Sequence, residues 1–386
     1  MVVIWSNYAM NQQWWEWFAT LPRGQKNKVL KFYGMQYSRG EVPRCEICNH
    51  VYFNCKCDDP EFHRKKKYWQ EQMVKPFEEK LAQAEKLVSI HIDDIIEKHL
   101  KIYLAYSGGI DSECCLQLYK EAIMSGLIDV FVGNTLTELP DTYKRIYQAQ
   151  KELGVRFKFA TPESGTTFES NAIKNGLPIY PRNNVISINS KQTSEQIETA
   201  SEKNKRITKL CCHYLKERPQ ELLTKNYDGN ILGIRATESQ ARAMAIKHGL
   251  NMDRDCYFGK ISEWNIRPIA WWSRADEWKF QRLRGFNYNE IYNKTNVGKV
   301  GKYKTSTGRI IDIRSGCAFC LQGIHQGYLE WLYEFYPKYF DMLIKIYDRV
   351  ALKRGDELNF KKILEIKKVK DPRQNDVVDS FQPILS

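Results

Sequence analysis

Lys101-Ile102-Tyr103-Leu104-Ala105-Tyr106-Ser107-Gly108-Gly109-Ile110-Asp111-Ser112 begins as a short apolar run and ends in a glycine-rich turn. Helical spacing follows from Cys114 to Ile123, so the stretch predicts strand, turn and helix in succession. Two glycines remove the Cβ atoms that would keep a ligand from the backbone. A helix N-terminus adds unpaired N–H donors and partial positive charge, the combination that holds a phosphate. Ser107 and Ser112 add hydroxyl donors, and Asp111 is placed either to hold a magnesium ion or to orient the loop. The spacing is not GxxxxGK[ST], so this is not a Walker A loop.

Ser107 to Ser112 reads SGGxDS, which resembles the PP-loop of the ATP pyrophosphatase superfamily, whose members cleave ATP between the α and β phosphates. Further matches follow in order. A second buried strand is expected at 128–132, leading into Gly133-Asn134-Thr135-Leu136-Thr137-Glu138-Leu139-Pro140-Asp141-Thr142-Tyr143. That segment resembles the DTGxxFPETY element of the sulfonucleotide (PAPS/APS) reductase branch. A helix at 143–153 and a third strand at 156–160 come next. Leu210-Cys211-Cys212-His213-Tyr214-Leu215-Lys216-Glu217-Arg218-Pro219 is similar to its CCxxxKxxP element, and Gly233-Ile234-Arg235-Ala236-Thr237-Glu238-Ser239 to its GxRxxES element. Arg267-Pro268-Ile269, Asp276-Glu277-Trp278 and Tyr288-Asn289-Glu290-Ile291-Tyr292 resemble the P…W…DVW…YN.LY region, and Cys317-Ala318-Phe319-Cys320 supplies a CxxC. The resemblance covers most of the chain, from residue 99 to about residue 335. It implies a doubly wound, mostly parallel α/β sheet of the adenine nucleotide α-hydrolase type.

Under that resemblance ATP sits on Ser107, Gly108, Gly109, Asp111 and Ser112, with Asn134, Thr135, Gly233, Arg235 and Glu238 around it. The residue types agree. Asn134 and Thr135 lie at the C-terminal end of a parallel strand, where such sheets bind ligands. Arg235 is a permanently charged planar donor suited to phosphate; its plain alternative is a salt bridge to Glu238, three residues on. Asp111 and Arg235 are the candidate catalytic residues. Position 110 is Ile where many PP-loops carry Lys, so one cation near the pyrophosphate has to come from elsewhere.

Eleven cysteines fall mostly in pairs. In the APS reductase type of enzyme a CC pair and a CxxC hold one [4Fe–4S] cluster, and the resemblance carries that role onto Cys211, Cys212, Cys317 and Cys320. Four thiolates would serve a tetrahedral zinc equally well, and buried unligated thiols are the plainer alternative. Cys114 and Cys115, on the helix after the loop, read as core. Cys45, Cys48, Cys55 and Cys57 read as a small zinc knuckle, with His50 and His63 as further ligands, in a segment with little core of its own.

The chain has 386 residues and a net charge of +13, which suggests more than one unit and an anionic partner, most simply nucleic acid. Four regions are expected: an aromatic and basic N-terminal unit at 1–75 with the cysteine knuckle, a helical linker at 76–98, the PP-loop domain at 99–325, and C-terminal helices with a charged tail at 326–386. Residues 161–209 lack clear periodicity and are expected as a substrate-side excursion. No secretory signal and no membrane-length apolar run is visible, so the expected location is cytoplasmic, where close cysteine pairs favour metal over disulfides.

A sulfonucleotide reductase needs a mobile nucleophilic cysteine, carried in that family by a C-terminal ECGxH motif; here no cysteine follows Cys320. The expectation is therefore an enzyme that adenylates a substrate, most simply nucleic acid, for sulfur transfer, using ATP, Mg2+, the cluster and a sulfur-donor protein. A PAPS or APS reductase, and a nucleotide-binding regulator without turnover, are the alternatives.

Overall fold

The structure, a computed structural model, describes residues 20, 68–177, 210–239, 242–243, 246, 250–251, 256–257, 264–320, 327–355 and 359–374. The chain divides into two compact units, Met1–Val74 and Lys75–Ser386. Of the first unit, Thr20 and the helical residues 68–74 are described, so the four N-terminal knuckle cysteines lie outside the described residues.

The larger unit opens with α1, Phe77–Glu97. Pro76 precedes it, Glu78 and Glu79 sit in its first turn, and Leu81, Ala84, Leu87, Val88 and Ile95 make one buried stripe, the pattern of a helix packed on a core. Expected as a linker, α1 contributes its apolar face to the hydrophobic core of this unit.

Five parallel strands follow: β1 Ile102–Tyr106, β2 Ile128–Gly133, β3 Lys158–Ala160, β4 Gly229–Leu232 and β7 Trp264–Ile266, in the spatial order β3-β2-β1-β4-β7. A short antiparallel pair, β5 Leu250–Asn251 and β6 Cys256–Tyr257, precedes β7. Side chains on both faces of β1 and β2 are mostly buried, as strands covered by helices on both sides require. The register sets Tyr106 beside Val132 and Ala105 beside Leu232. The order reverses between β1 and β4, because the chain first winds outward through β2 and β3 and then returns. The crevice beyond the carboxyl ends of those two strands is the topological switch point, where such sheets bind ligands.

Around the sheet, α2 (Ile110–Leu118) and α3 (Lys120–Met124) stand where one helix is expected, α4 (Pro140–Leu153) starts at a proline, and α5 (Phe168–Asn175) lies within the expected excursion. Leu210–Cys212 is one turn of α-helix, His213–Glu217 a π-helical turn, and α6 (Arg218–Thr224) continues from it. Further on come α7 (Arg274–Arg284), a hairpin of β8 (Lys302–Lys304) and β9 (Ile310–Asp312), and α8 (Tyr328–Phe335), α9 (Pro337–Arg354) and α10 (Phe360–Lys367). Phe340, Leu343, Tyr347, Val350, Phe360 and Ile363 bury the last two helices in the same core. No helix among the described residues is long and apolar enough to cross a membrane.

Behind the glycine-rich loop lies a buried polar knot. Arg145 on α4 forks onto Glu113 on α2, Nε to Oε2 at 3.0 Å and Nη2 to Oε1 at 2.8 Å, while Tyr106 donates to Glu113 Oε2 at 2.6 Å. Arg145 and Glu113 are only 2% and 1% exposed. A charge this deep is tolerated because it is paired and hydrogen-bonded.

Candidate nucleotide site

The loop after β1 closes on itself. Ser107 N donates to Ser112 Oγ at 3.2 Å, and Ser112 Oγ donates to Gly109 O at 2.9 Å. Asn289 Nδ2 donates to Gly108 O at 3.1 Å and to Thr142 Oγ1 at 3.1 Å, and Ile110 N donates to Tyr292 OH at 3.0 Å. Burial pushes the Tyr292 hydroxyl up to about 12, so it stays a phenol. Gly108 has φ +69°, a conformation costly for any side-chain-bearing residue. Among the described residues no protein group accepts from the N–H of Gly108, Gly109 or Asp111. The result is a braced loop with open donors at the start of α2, the geometry an anion fits.

The loop after β4 meets it. A Cβ on Gly233 would lie 2.5 Å from Asp111 O, so the approach of the two strand ends depends on glycine there. Two residues on, Arg235 is 3% exposed. Its Nε donates to Asp111 Oδ1 at 2.5 Å and lies 2.8 Å from Glu277 Oε1. Arg274 Nη1 is 3.1 Å from Asp111 Oδ2 and 2.9 Å from Glu277 Oε2. Asp111, Arg235, Glu277 and Arg274 thus form a closed ring of alternating sign. Thr237 braces it, accepting from Arg235 Nη1 at 2.8 Å and donating to Trp272 O at 3.0 Å.

The two carboxyls differ. Burial alone would raise Asp111, but the Arg274 guanidinium, a hydrogen bond with Glu277 and Arg235 hold it well below the carboxylate range. Glu277 has no exposed surface, and burial followed by the Asp111 charge pushes it well up. Its Oε1 sits within ion-pair distance of Arg235 but makes no hydrogen bond to a donor. The ring thus sets two guanidiniums against two carboxyls whose proton affinities are driven apart, Asp111 down and Glu277 up.

Sequence reasoning placed Asp111, Gly233 and Arg235 together, and they are together. It missed Glu277 and Arg274 as part of the site. Arg235 pairs with Asp111 and Glu277, whereas Glu238 pairs with Arg242 and lies 3.6 Å from Arg314. Burial, with the Arg314 and Arg235 charges, leaves Arg242 below its usual value against the opposing pull of Asp111. Both oxygens of Asp111 are engaged by guanidiniums, which favours its loop-orienting role over direct grip on a metal.

At the exit of β2, Thr135 Oγ1 donates to Glu138 Oε1 at 2.6 Å, and Asn134 Oδ1 accepts from Tyr143 OH at 2.8 Å. This segment reaches the CxxC: Thr135 Oγ1 is 3.3 Å from Cys317 Sγ, and Ala318 N donates to Thr137 O at 2.8 Å. Cys211, Cys212, Cys317 and Cys320 are in no disulfide. Burial, and then the sulfurs of Cys317, Cys212 and Cys320, push the Cys211 thiol well up. Four thiols are the donor types that an Fe–S cluster or a zinc ion takes. Among the described residues no three His, Cys, Asp or Glu side chains are drawn close enough to grip one ion. Cys114 and Cys115 are fully buried core.

The phosphoadenosine phosphosulfate reductase domain matches residues 101–322, more than half of the chain. The chain belongs to that family. The matched range takes in the five-stranded sheet and both loops described above. No curated protein is detectably similar in sequence. Among solved structures, phosphoadenylyl-sulfate (PAPS) reductase from Candida auris in a phosphate complex is similar at 15% identity, over 55% of this chain and 84% of that one, with TM-score 0.37. The NH3-dependent NAD synthetase from Campylobacter jejuni is similar at 14% identity over 72% and 96%, TM-score 0.29. The U34-tRNA thiolase from Methanococcus maripaludis with its [4Fe-4S] cluster is similar at 12% identity over 80% and 87%, TM-score 0.31.

Proposed function

We propose that this member of the family adenylates an oxygen of a nucleic acid and exchanges it for sulfur. The observation that carries the reading is the open N–H cradle of Gly108, Gly109 and Asp111 beside the guanidiniums of Arg235 and Arg274. Ser107, Gly108, Gly109 and Ser112 hold the phosphates of magnesium-bound ATP, with Asn134, Thr135, Gly233 and Glu238 bounding the nucleotide. Arg235 and Arg274 stabilise charge that builds on the α-phosphate and the leaving pyrophosphate, supplying the cation that Ile110 does not. The substrate oxygen attacks the α-phosphorus; the bond to the β-phosphate oxygen breaks and pyrophosphate departs. A sulfide-level nucleophile from a donor protein then forms the bond to substrate carbon, and AMP leaves with the original oxygen. Cys211, Cys212, Cys317 and Cys320 would hold an Fe–S cluster, which supplies a site where sulfur can be bound next to the nucleotide.

A second reading, reduction of a sulfonucleotide, is favoured by the family itself. It requires a thiolate nucleophile, and from Leu321 to Ser386 the sequence has no cysteine. One assay separates the two. ATP with RNA or DNA and a sulfide donor should yield AMP and pyrophosphate in equal amounts, more than ATP alone. ADP and phosphate, or sulfite from PAPS with a thiol donor and no AMP from ATP, would overturn the adenylation reading.

A further inference from the structure

Between Lys294 and Arg314 the sequence carries six basic residues and one acidic one, Asp312. The middle of this segment is the β8–β9 ribbon, paired Lys302 to Asp312, Tyr303 to Ile311 and Lys304 to Ile310. Side chains alternate across such a ribbon. Tyr303 is buried and Ile311 packs against the core, so Lys302, Lys304, Ile310 and Asp312 share the outer face. Ile310 is 58% exposed there.

Two of the segment's charges are neutralised or held: Lys302 pairs with Asp312 at 2.6 Å, and Lys294 lies over the Tyr336 ring at 6.0 Å. Two carboxylates from α8 hydrogen-bond the segment itself, Glu330 accepting from Ser306 N at 2.6 Å and Glu334 from Tyr303 OH at 2.8 Å, but among the described residues neither forms an ion pair with its cations. Lys299, Lys304 and Arg309 are exposed and have no carboxylate partner among the described residues. Lys304 and the exposed Ile310 pair across the ribbon, and the exposed Lys299 and Arg309 flank its two strands, a combination that suits a polyanion bearing flat apolar groups.

The ribbon also leads to the nucleotide. From its turn the chain runs through β9 into Ser315, whose Oγ fills the space that a Cβ on Gly109 would take. Six extended residues separate Arg309 from Ser315, about 20 Å at most. The geometry points to the β8–β9 ribbon as the docking surface for a nucleic-acid strand, which it delivers to the phosphate loop. This rests on the adenylation reading for its purpose, but its test does not.

Binding of a fluorescein-labelled single-stranded oligonucleotide, as RNA and as DNA, is measured by anisotropy on the full chain without ATP over a range of salt. The triple variant Lys299→Gln/Lys304→Gln/Arg309→Gln should bind roughly ten- to a hundred-fold more weakly, with a salt slope shallower by about two. The charge-keeping variant Lys299→Arg/Lys304→Arg/Arg309→Lys should bind like the parent. Lys361→Gln/Lys362→Gln, which removes two charges from α10, should also bind like the parent. Equal binding by parent and the glutamine variant, no oligonucleotide binding by the parent even at low salt, or a larger loss for polyglutamate than for oligonucleotide would each overturn the proposal. A glutamine variant that releases AMP from ATP alone at the parental rate, yet loses stimulation by nucleic acid, adds support. Absence of AMP from every variant would fault the adenylation reading and leave the binding result to decide the ribbon.

Discussion

Glu277 has the most to reveal about the site. A fully buried carboxyl between two arginines would ordinarily be ionised, and breaking such a pair costs about 3–5 kcal/mol. If Glu277 carries a proton, as burial and the Asp111 charge favour, Glu277→Gln is nearly isosteric and should cost no more than about 1 kcal/mol at neutral pH. Glu277→Ala should cost about 2–4 kcal/mol through the void and the uncovered arginines. Denaturant unfolding of both variants separates the cases; a glutamine variant as damaged as the alanine one would mean an ionised Glu277. The pH dependence carries opposite signs for the two carboxyls. Asp111 is held below its unfolded value, so its contribution is full above about pH 4 and drains away as pH falls through the folded value. The stability gap between the parent and Asp111→Asn should therefore be widest at neutral pH and close in acid. Glu277 is raised, so its contribution is full below about pH 4 and is lost as pH rises through the folded value. Glu277→Gln should thus gain on the parent as pH rises.

At the scale of elements, the loop is rigid because others hold it. Arg145 on α4 ties α2 to the sheet through Glu113 and Tyr106. Arg145→Met strands a buried carboxylate and should cost about 3–5 kcal/mol, much of it recovered by adding Glu113→Leu; a double-mutant cycle in denaturant measures both. Gly233→Ala drives a methyl toward Asp111 O and should weaken ATP binding roughly tenfold or more by forcing the strand ends apart; unchanged affinity by calorimetry would show the two loops to be independent. Local pattern made β1, β2, β3, the glycine turn and Arg235 legible, because each is written within a few consecutive residues, whereas the short β4 and β7 were not legible. Glu277 and Arg274 were not legible as site residues. Their partners are far away in sequence, and a carboxylate in the first turn of a helix reads as ordinary dipole stabilisation. The available signal was the spacing of Glu277 from Phe280, which puts both on the buried face of α7. Asn289 and Tyr292 were legible only as part of a matching element, with no role for them or for Ser315, for the same reason: each touches the loop across a long stretch of intervening chain.

For the whole molecule, the open question is what the paired cysteines hold. Anaerobically purified protein should carry about four irons and a broad absorption near 400 nm if Cys211, Cys212, Cys317 and Cys320 bind a cluster. Cys317→Ser should lose both while retaining any zinc bound by Cys45, Cys48, Cys55 and Cys57. Zinc alone, with no iron and no colour, would make the first four structural. Removing iron should then be followed by ATP turnover, since the loop and the ring of Asp111, Arg235, Glu277 and Arg274 involve no cysteine, and adenylation should survive where sulfur transfer does not.

The π-helical turn at His213–Glu217 sets the rotational phase of Cys211 and Cys212. A π turn holds one residue more than an α turn, and each residue of an α-helix advances the chain by about 100° around its axis. Deleting a single residue there would let an unbroken α-helix form from Leu210 to α6. It would also swing the cysteine pair about a quarter turn away from the CxxC, so an insertion that costs the helix a little regularity decides which way two sulfurs face.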